Sequence, residues 1–184
     1  MLGLLRRVYW WFLERKKRTY LTSLQNKGLK IGENVEIVSD FFFDPSHCFL
    51  ISIGDDVTFA PNVRLIAHDA STKKLLGFTR VAPIIIESGV FLGDSVLVLP
   101  GVTIGKDSIV GTGSVVTQDI PAGSVAVGSP AKVITSIAEY KERIRQMSEQ
   151  GRVFNESYLI ENIDQSRREE MLTYLASDGQ AFIP

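Results

Sequence analysis

The sequence is poor in cysteine, in histidine and in net charge. It has one cysteine, two histidines and a formal net charge of −1 over 184 residues. The single cysteine, Cys48, excludes an internal disulfide and is typical of a reducing compartment. The near-neutral balance provides no overall attraction for nucleic acid, so we expect no nucleic-acid partner.

Long apolar runs are also missing near the N-terminus. The longest one there, Val8 to Leu13, is too short to cross a bilayer or to form a typical signal core, which predicts a cytoplasmic protein. Residues 1–30 nevertheless carry eight basic groups against Glu14, a net charge of +7. A helix in residues 1–18 has two compatible interpretations: a peripheral contact with the inner membrane face, or a cap on the fold.

An internal repeat of six residues predicts the fold. Six hexads follow one another from Ile86: IESGVF, LGDSVL, VLPGVT, IGKDSI, VGTGSV and VTQDIP. IGDDVT from residue 53 and FAPNVR from residue 59 match them, and IGENVE from residue 31 matches more weakly. The first position is always aliphatic or aromatic, the fifth is small or β-branched, and glycine recurs at the second.

A period of six fits neither a helix nor simple strand alternation, but it fits a short strand followed by a tight turn. Three such units close one triangular coil, and stacked coils bury a continuous aliphatic column. The pattern therefore predicts a left-handed parallel β-helix, an all-β solenoid, and we expect the glycines to ease turns of positive φ. A β-sandwich would require irregular spacings and hairpin turns instead.

The phase of the hexads locates an insertion. Leu65 begins another hexad, but the next in-phase aliphatic residue is Ile86, and 21 residues is not a multiple of six. Residues 68–83 are therefore predicted to leave the solenoid as a loop, a common place for function in such proteins. His68 lies at the root of this loop.

The hexads, the loop that begins with a histidine, and the terminal AGSVAVGSPAKVI together resemble the hexapeptide-repeat acetyltransferases, in particular the galactoside, maltose and polysaccharide O-acetyltransferases. The resemblance covers residues 31–134. It implies direct acetyl transfer from acetyl-CoA, without a metal, to a saccharide hydroxyl. It also implies a homotrimer in which coenzyme A lies between neighbouring solenoids.

The resemblance implies a catalytic role for the loop histidine, which is His68 in this sequence. An imidazole can take the proton of a sugar hydroxyl as that hydroxyl attacks an activated thioester. The neighbouring Asp69 is a candidate to orient the ring. His47 lies before the repeats settle into phase, and it is interpreted either as a turn residue or as part of the acceptor pocket.

Five residues match cofactor-contacting positions of the family. Phe91 occupies a position where family members often have tryptophan, and Asp94 occupies that of a serine in the galactoside enzyme. Thr112 matches a position whose backbone amide contacts the cofactor, and Thr117 matches a contacting threonine. A basic residue of the family is replaced by Gln118, so Lys132 is expected to carry more of the phosphate charge.

Other functions remain open at this stage. A zinc-dependent hydratase on the same fold would need three histidines, more than the chain has. A non-catalytic scaffold is a second alternative. Within the enzymes, the acceptor could be the amine of an amino sugar or an antibiotic hydroxyl.

The repeat divides the chain into three predicted regions. Residues 1–30 form an N-terminal helical segment, residues 31–134 the β-helix with its loop, and residues 135–184 a C-terminal helical extension. In the extension, Ile137, Tyr140, Ile144 and Met147 recur at helical spacing, and a second helix is predicted from residue 166.

Overall fold

A computed structural model describes residues 15–184 of the chain. Its centre is a three-sided parallel β-helix, which confirms the predicted left-handed solenoid. Sheet A contains β1 (Lys30–Ile31), β4 (Ile51–Ile53), β9 (Ile84–Ile86) and β12 (Thr103–Ile104). Sheet B contains β2 (Glu36–Ile37), β5 (Thr58–Phe59), β10 (Phe91–Leu92), β13 (Ile109–Val110), β15 (Ser124–Gly128) and the antiparallel β16 (Ala131–Ser136). Sheet C contains β3 (Phe41–Phe43), β6 (Val63–Leu65), β11 (Leu97–Val98) and β14 (Val115–Val116).

The first residue of each hexad points into the solenoid. Leu65, Val98 and Val116 stand in register on three successive strands of sheet C, and all three are fully buried. Burying one such side chain contributes roughly 1.5–3 kcal/mol, so the stacked aliphatic columns stabilise the fold. Equivalent columns on sheets A and B complete the core.

The turns between strands are made at the fourth position of the hexads, not at the second. The fourth residue has a left-handed φ in every hexad except VTQDIP, and it is then a small or short polar residue: Asn34, Asp56, Asn62, Gly89, Ser95, Gly101, Asp107 and Gly113. The expectation that the second-position glycines supply positive φ is therefore wrong. Gly93 is glycine for a different reason, because a Cβ there would lie 2.6 Å from the amide nitrogen of Thr112 on the next coil.

A helix at residues 15–26, α1, packs on the first coils of the solenoid. Leu24 is fully buried in the core, and the Cys48 thiol lies 3.6 Å from the Leu24 carbonyl oxygen. Lys17 donates a hydrogen bond of 2.8 Å to the Ile37 carbonyl. These contacts favour the capping interpretation for this part of residues 1–18, while residues 1–14, on which the membrane interpretation mainly depends, lie outside the described residues. Among residues 15–184, no helix combines the length and the apolar character needed to cross a bilayer.

The insertion between sheets C and A is an antiparallel hairpin. Strand β7 (His68–Asp69) pairs with β8 (Arg80–Val81), and the short helix α2 (Lys73–Leu76) lies between them. Helix α2 ends at Gly77, whose φ of 78° lies in the left-handed region. The apolar side chains near the tip are exposed: Leu75, Leu76 and Phe78.

Residues Ala138–Pro184 form a separate compact unit. Helix α3 (Ile137–Gln150) leads into it, strands β17 (Arg152–Val153) and β18 (Ala181–Phe182) pair in parallel, and α4 (Gln165–Asp178) follows a short 3-10 turn. Asp164 caps α4 by accepting a hydrogen bond from the Arg167 amide. Phe154 is buried within this unit against Tyr158 and Tyr174.

Candidate active site

The site is built around His68, where the chain leaves sheet C for the hairpin. Strand β6 ends at Leu65, and the next strand of the prism, β9, belongs to sheet A. His68 therefore lies on the edge between sheets C and A, which we call the C–A edge. Its backbone is held by the pairing of β7 with β8, and 34 % of its side chain is exposed. A rigid coil thus presents a partly open imidazole to solvent.

A buried carboxylate one coil below orients the His68 ring. Nδ1 of His68 lies 2.5 Å from Oδ2 of Asp44, whose side chain is inaccessible to solvent. The same oxygen accepts a hydrogen bond of 3.2 Å from the Ala67 amide. The other oxygen, Oδ1, accepts from the amides of Ser46 and His47. The three backbone amides can only donate, so both oxygens of Asp44 must act as acceptors.

These bonds keep Asp44 ionised. Burial raises the pKa of Asp44, but the hydrogen bonds from His68 and from the Ser46 and His47 amides lower it more, so its pKa lies below the ordinary carboxyl value. An ionised Asp44 accepts a hydrogen bond from Nδ1–H and therefore selects the tautomer with hydrogen on that nitrogen. The lone pair of His68 is then on Nε2, which makes no hydrogen bond with a described residue. This is the arrangement that a general base needs.

Asp69 does not orient the ring, contrary to the prediction made from its position beside His68. Its Oδ1 accepts a hydrogen bond of 2.9 Å from the Ser71 amide, which lowers the pKa of Asp69. Neighbouring residues of a strand point to opposite faces, so β7 directs Asp69 away from the side that His68 occupies. The carboxylate partner comes from the coil below instead.

His47 lies beside the same carboxylate. Its Nδ1 is 3.6 Å from Oδ2 of Asp44, too far for a hydrogen bond, and its ring centroid is 5.1 Å from that of His68. The ligand atoms of Asp44, His47 and His68 lie within 4.8 Å of one another, as in an open zinc site. However, the Ala67 amide and His68 already use both lone pairs of Oδ2. The donor set therefore fits a hydrogen-bonded pair better than a metal, and the absence of a metal stays a prediction.

Three of the five predicted cofactor residues lie at an edge of the solenoid other than the C–A edge that carries His68. Asp94 lies between β10 and β11, and Thr112 lies between β13 and β14, so both are on the edge between sheets B and C, the B–C edge. Lys132 pairs with Val127, and Val127 stands directly above Gly111, the neighbour of Thr112. Phe91 is exposed on sheet B beside this edge.

The cofactor residues near the B–C edge differ in whether their polar groups are already hydrogen-bonded within the protein. The amide of Thr112 has no protein acceptor among the described residues, which fits a backbone amide available to a ligand. The carboxylate of Asp94 is already bonded to two side chains, accepting from Asn62 at 3.3 Å and from Ser95 at 2.8 Å. Lys132 is exposed and free to extend into solvent.

Thr117 lies apart from the other four cofactor residues. It follows β14 on the C–A edge, two coils above Leu65, because Leu65, Val98 and Val116 are stacked in register. A single chain therefore brings Thr117 to the edge that carries His68. The B–C edge of the same chain, with the other cofactor residues, lies on the opposite side of sheet C.

The main residue that sequence reasoning missed is Asp44. It precedes His68 by 24 residues and lies where the hexad pattern is weak. An acidic residue in the DPSH stretch was the only available signal. Nothing in the repeat phase indicates that it stands under the loop root.

Comparison with known proteins identifies the fold and the family. The family described as bacterial transferase hexapeptide (six repeats) matches residues 83–118. The galactoside O-acetyltransferase of Escherichia coli (strain K12) is 38 % identical over 115 residues, which are 58 % of this chain and 56 % of that protein. This chain spans about half the length of the curated relatives it matches.

Solved structures extend the similarity. A hexapeptide-repeat acetyltransferase of Vibrio cholerae, complexed with acetyl-CoA, gives a TM-score of 0.54 at 32 % identity and covers 60 % of this chain and 61 % of that one. A galactoside acetyltransferase in complex with coenzyme A gives 0.52 at 30 % identity and covers 70 % of this chain and 74 % of that one. The chain is a left-handed β-helix protein built from hexapeptide repeats. It belongs to the hexapeptide-repeat acetyltransferase family.

Proposed function

We propose that the protein transfers an acetyl group from acetyl-CoA directly to a hydroxyl of a saccharide, such as a cell-surface polysaccharide or its precursor, with His68 as general base. The observation that carries the proposal is the short bond between Nδ1 of His68 and the buried Asp44. It leaves Nε2 as a proton acceptor at an open position. The acetyl-CoA and coenzyme A complexes of the similar acetyltransferases support the choice of acetyl donor.

The chemistry needs no protein nucleophile, because the thioester is already activated. The acceptor oxygen bonds to the acetyl carbon as the carbon–sulfur bond breaks. The hydroxyl proton passes to Nε2 of His68 and then to the departing thiolate of coenzyme A. Asp44 stabilises the imidazolium that exists between these two transfers, and it stays ionised throughout.

The residues proposed to hold coenzyme A are Phe91, Asp94, Thr112, Thr117 and Lys132. Lys132 supplies a cation for the phosphates, and the Thr112 amide supplies a hydrogen-bond donor. Because most of this set lies on the B–C edge, it does not meet the His68 of the same chain. A complete site therefore needs the C–A edge of one copy beside the B–C edge of another.

This separation supports a homotrimer as the active form. Three prisms packed about a threefold axis bring unlike edges together in three equivalent clefts. The hairpin that follows His68 exposes Leu75 by 81 %, Leu76 by 66 % and Phe78 by 74 %. A cluster of exposed apolar side chains on one loop requires a partner surface, and a neighbouring prism provides one.

Release of free thiol from acetyl-CoA in the presence of a saccharide panel tests the function. His68→Ala should lower kcat roughly 10²–10⁴-fold and leave the KM for acetyl-CoA nearly unchanged, because the base acts on the proton and not on the cofactor. A folded His68→Ala protein with near-normal turnover would remove His68 from the mechanism.

A further inference from the structure

The backbone amide of His47 is bonded to Asp44, but its ring nitrogen Nδ1 is buried and is not hydrogen-bonded to any described residue. This ring nitrogen faces Oδ2 of Asp44 at 3.6 Å, but that oxygen is already bonded by His68 and by the Ala67 amide. An unpaired buried nitrogen costs stability, so its retention beside a catalytic ring suggests a functional use.

The geometry gives the two rings a common orientation. Nδ1 of His68 and Nδ1 of His47 both face the same carboxylate oxygen. Nε2 of each ring therefore lies on the side away from Asp44. Since Nδ1 of His47 is buried and 29 % of its side chain is exposed, the exposed part belongs to the remaining ring atoms. Because the ring centroids are 5.1 Å apart, the Nε2 atoms of His47 and His68 can both contact one bound molecule.

The two imidazoles cannot do the same work. The attacking hydroxyl has one proton, and it goes to the ring that Asp44 holds in the reactive tautomer, which is His68. His47 has no such hydrogen bond and is free to donate or to accept at Nε2. It is therefore suited to bind a second polar group close to the reacting one.

An exposed aromatic ring continues the same surface. Phe49 is 56 % exposed, and its ring centroid lies 6.1 Å from that of His47. Its position beside the two imidazoles gives a ligand bound there an apolar surface to pack against. The negative face of an aromatic ring attracts the C–H groups on the apolar face of a sugar, which supplies a suitable cover.

We propose that His47 and Phe49 form the acceptor subsite. Phe49 packs against the sugar ring, and Nε2 of His47 binds the hydroxyl adjacent to the one that His68 deprotonates. The acceptor is accordingly a saccharide with two neighbouring free hydroxyls, of which one is acetylated. This inference rests on the proposed function, since it needs acetyl transfer to occur at His68.

The test measures steady-state kinetics with methyl β-D-galactopyranoside and maltose as acceptors, in buffer containing EDTA so that no metal contributes. His47→Ala should raise the KM for the sugar about tenfold, the worth of one good hydrogen bond, and leave the KM for acetyl-CoA within twofold. His47→Gln places an amide nitrogen near the position of Nε2 and should recover most of the loss. His47→Asn places it near Nδ1 and should not.

Two further measurements examine the substrate side. Phe49→Leu should raise the KM for the sugar several-fold, whereas Phe49→Tyr should not. A monodeoxy sugar that lacks the hydroxyl next to the acetylated one should bind about tenfold more weakly to the wild type but no more weakly than the parent sugar to His47→Ala. Product analysis by NMR identifies which hydroxyl carries the acetyl group.

Each result decides between the two proposals. Sugar acetylation that His47→Ala leaves unchanged, or acetylation at a hydroxyl without a free neighbour, overturns the subsite and leaves the proposed function standing. Equal rescue by Gln and Asn also overturns it, because then the identity of the nitrogen does not matter. No thiol release with any sugar, although acetyl-CoA binds in calorimetry, overturns the proposed function and the subsite with it.

Discussion

Replacing Asp44 by asparagine tests the site most directly, because the change keeps the shape of the side chain and removes only its charge and half of its acceptor capacity. If the amide nitrogen faces His68, it donates to Nδ1, and the ring must carry its proton on Nε2, where no base remains. If the amide oxygen faces His68, the nitrogen opposes the amides of Ser46 and His47, which are also donors. Both orientations therefore lose an interaction.

The size of the effect follows from these contacts. A hydrogen bond to a charged group contributes about 1.5–3 kcal/mol, which alone corresponds to roughly 10- to 100-fold in rate. The wrong tautomer adds to this loss, and the equivalent change from aspartate to asparagine in the serine-protease triad lowers kcat about 10⁴-fold for the same reason. We expect Asp44→Asn to lower kcat about 10²–10³-fold with little change in either KM.

Thiol release from acetyl-CoA measures this effect, and circular dichroism verifies the fold of the variant. Asp69→Asn is the matched control, since Asp69 is the adjacent acid and is bonded to Ser71 instead of to the ring. It should retain activity within about threefold of the wild type. A folded Asp44→Asn enzyme that works as well as the Asp69→Asn control would refute the role of the buried carboxylate.

Three other predictions follow from the structure. Lys132→Ala should raise the KM for acetyl-CoA several-fold and Gln118→Lys should lower it, because each changes the positive charge available to the phosphates. An unchanged KM in both variants would mean that the phosphates bind elsewhere. The double variant Leu76→Asp with Phe78→Asp should reduce the mass of the assembly in light scattering and lower the activity. The control Leu172→Asp, at an equally exposed apolar position in α4, should change neither. A fully active wild-type monomer would contradict the shared site. The pKa of Asp44 is lowered in the folded state, so the ionised carboxylate stabilises the fold above the ordinary carboxyl value of about 4. This stabilisation is lost as the pH falls through the lower folded-state pKa. In urea unfolding, the difference in stability between wild type and Asp44→Asn should therefore be larger at pH 7 than at pH 3.

The solenoid and the loop root could be predicted because both depend on a local, repeated signal. A hexad identifies its inward residue by position, so Leu65, Val98 and Val116 are assigned to one column without long-range information. The same phase shows where the chain departs, and the hairpin begins at His68 as expected. The insertion needs no resemblance to any known protein for its detection.

Two features escaped the pattern for a physical reason. The repeat reports which residues point inward, but not which backbone positions require a left-handed φ or tolerate no Cβ. Asn62 and Gly93 show that these are separate constraints, one on conformation and the other on the distance between coils. The sequence shows glycine at position 93 and asparagine at position 62, but it does not show which of these two constraints acts at each position.

Asp44 illustrates a different limit. Its contact with His68 depends on how an irregular stretch between β3 and β4 folds under the next coil, and the hexad phase says nothing about that stretch. The consequence reaches beyond one residue. Since the irregular stretch also carries His47 and Phe49, it supplies the carboxylate of the base and, by our proposal, the acceptor subsite. By the same proposal, the repeats determine where the chemistry occurs, while the part of the chain that departs from them determines which sugar binds.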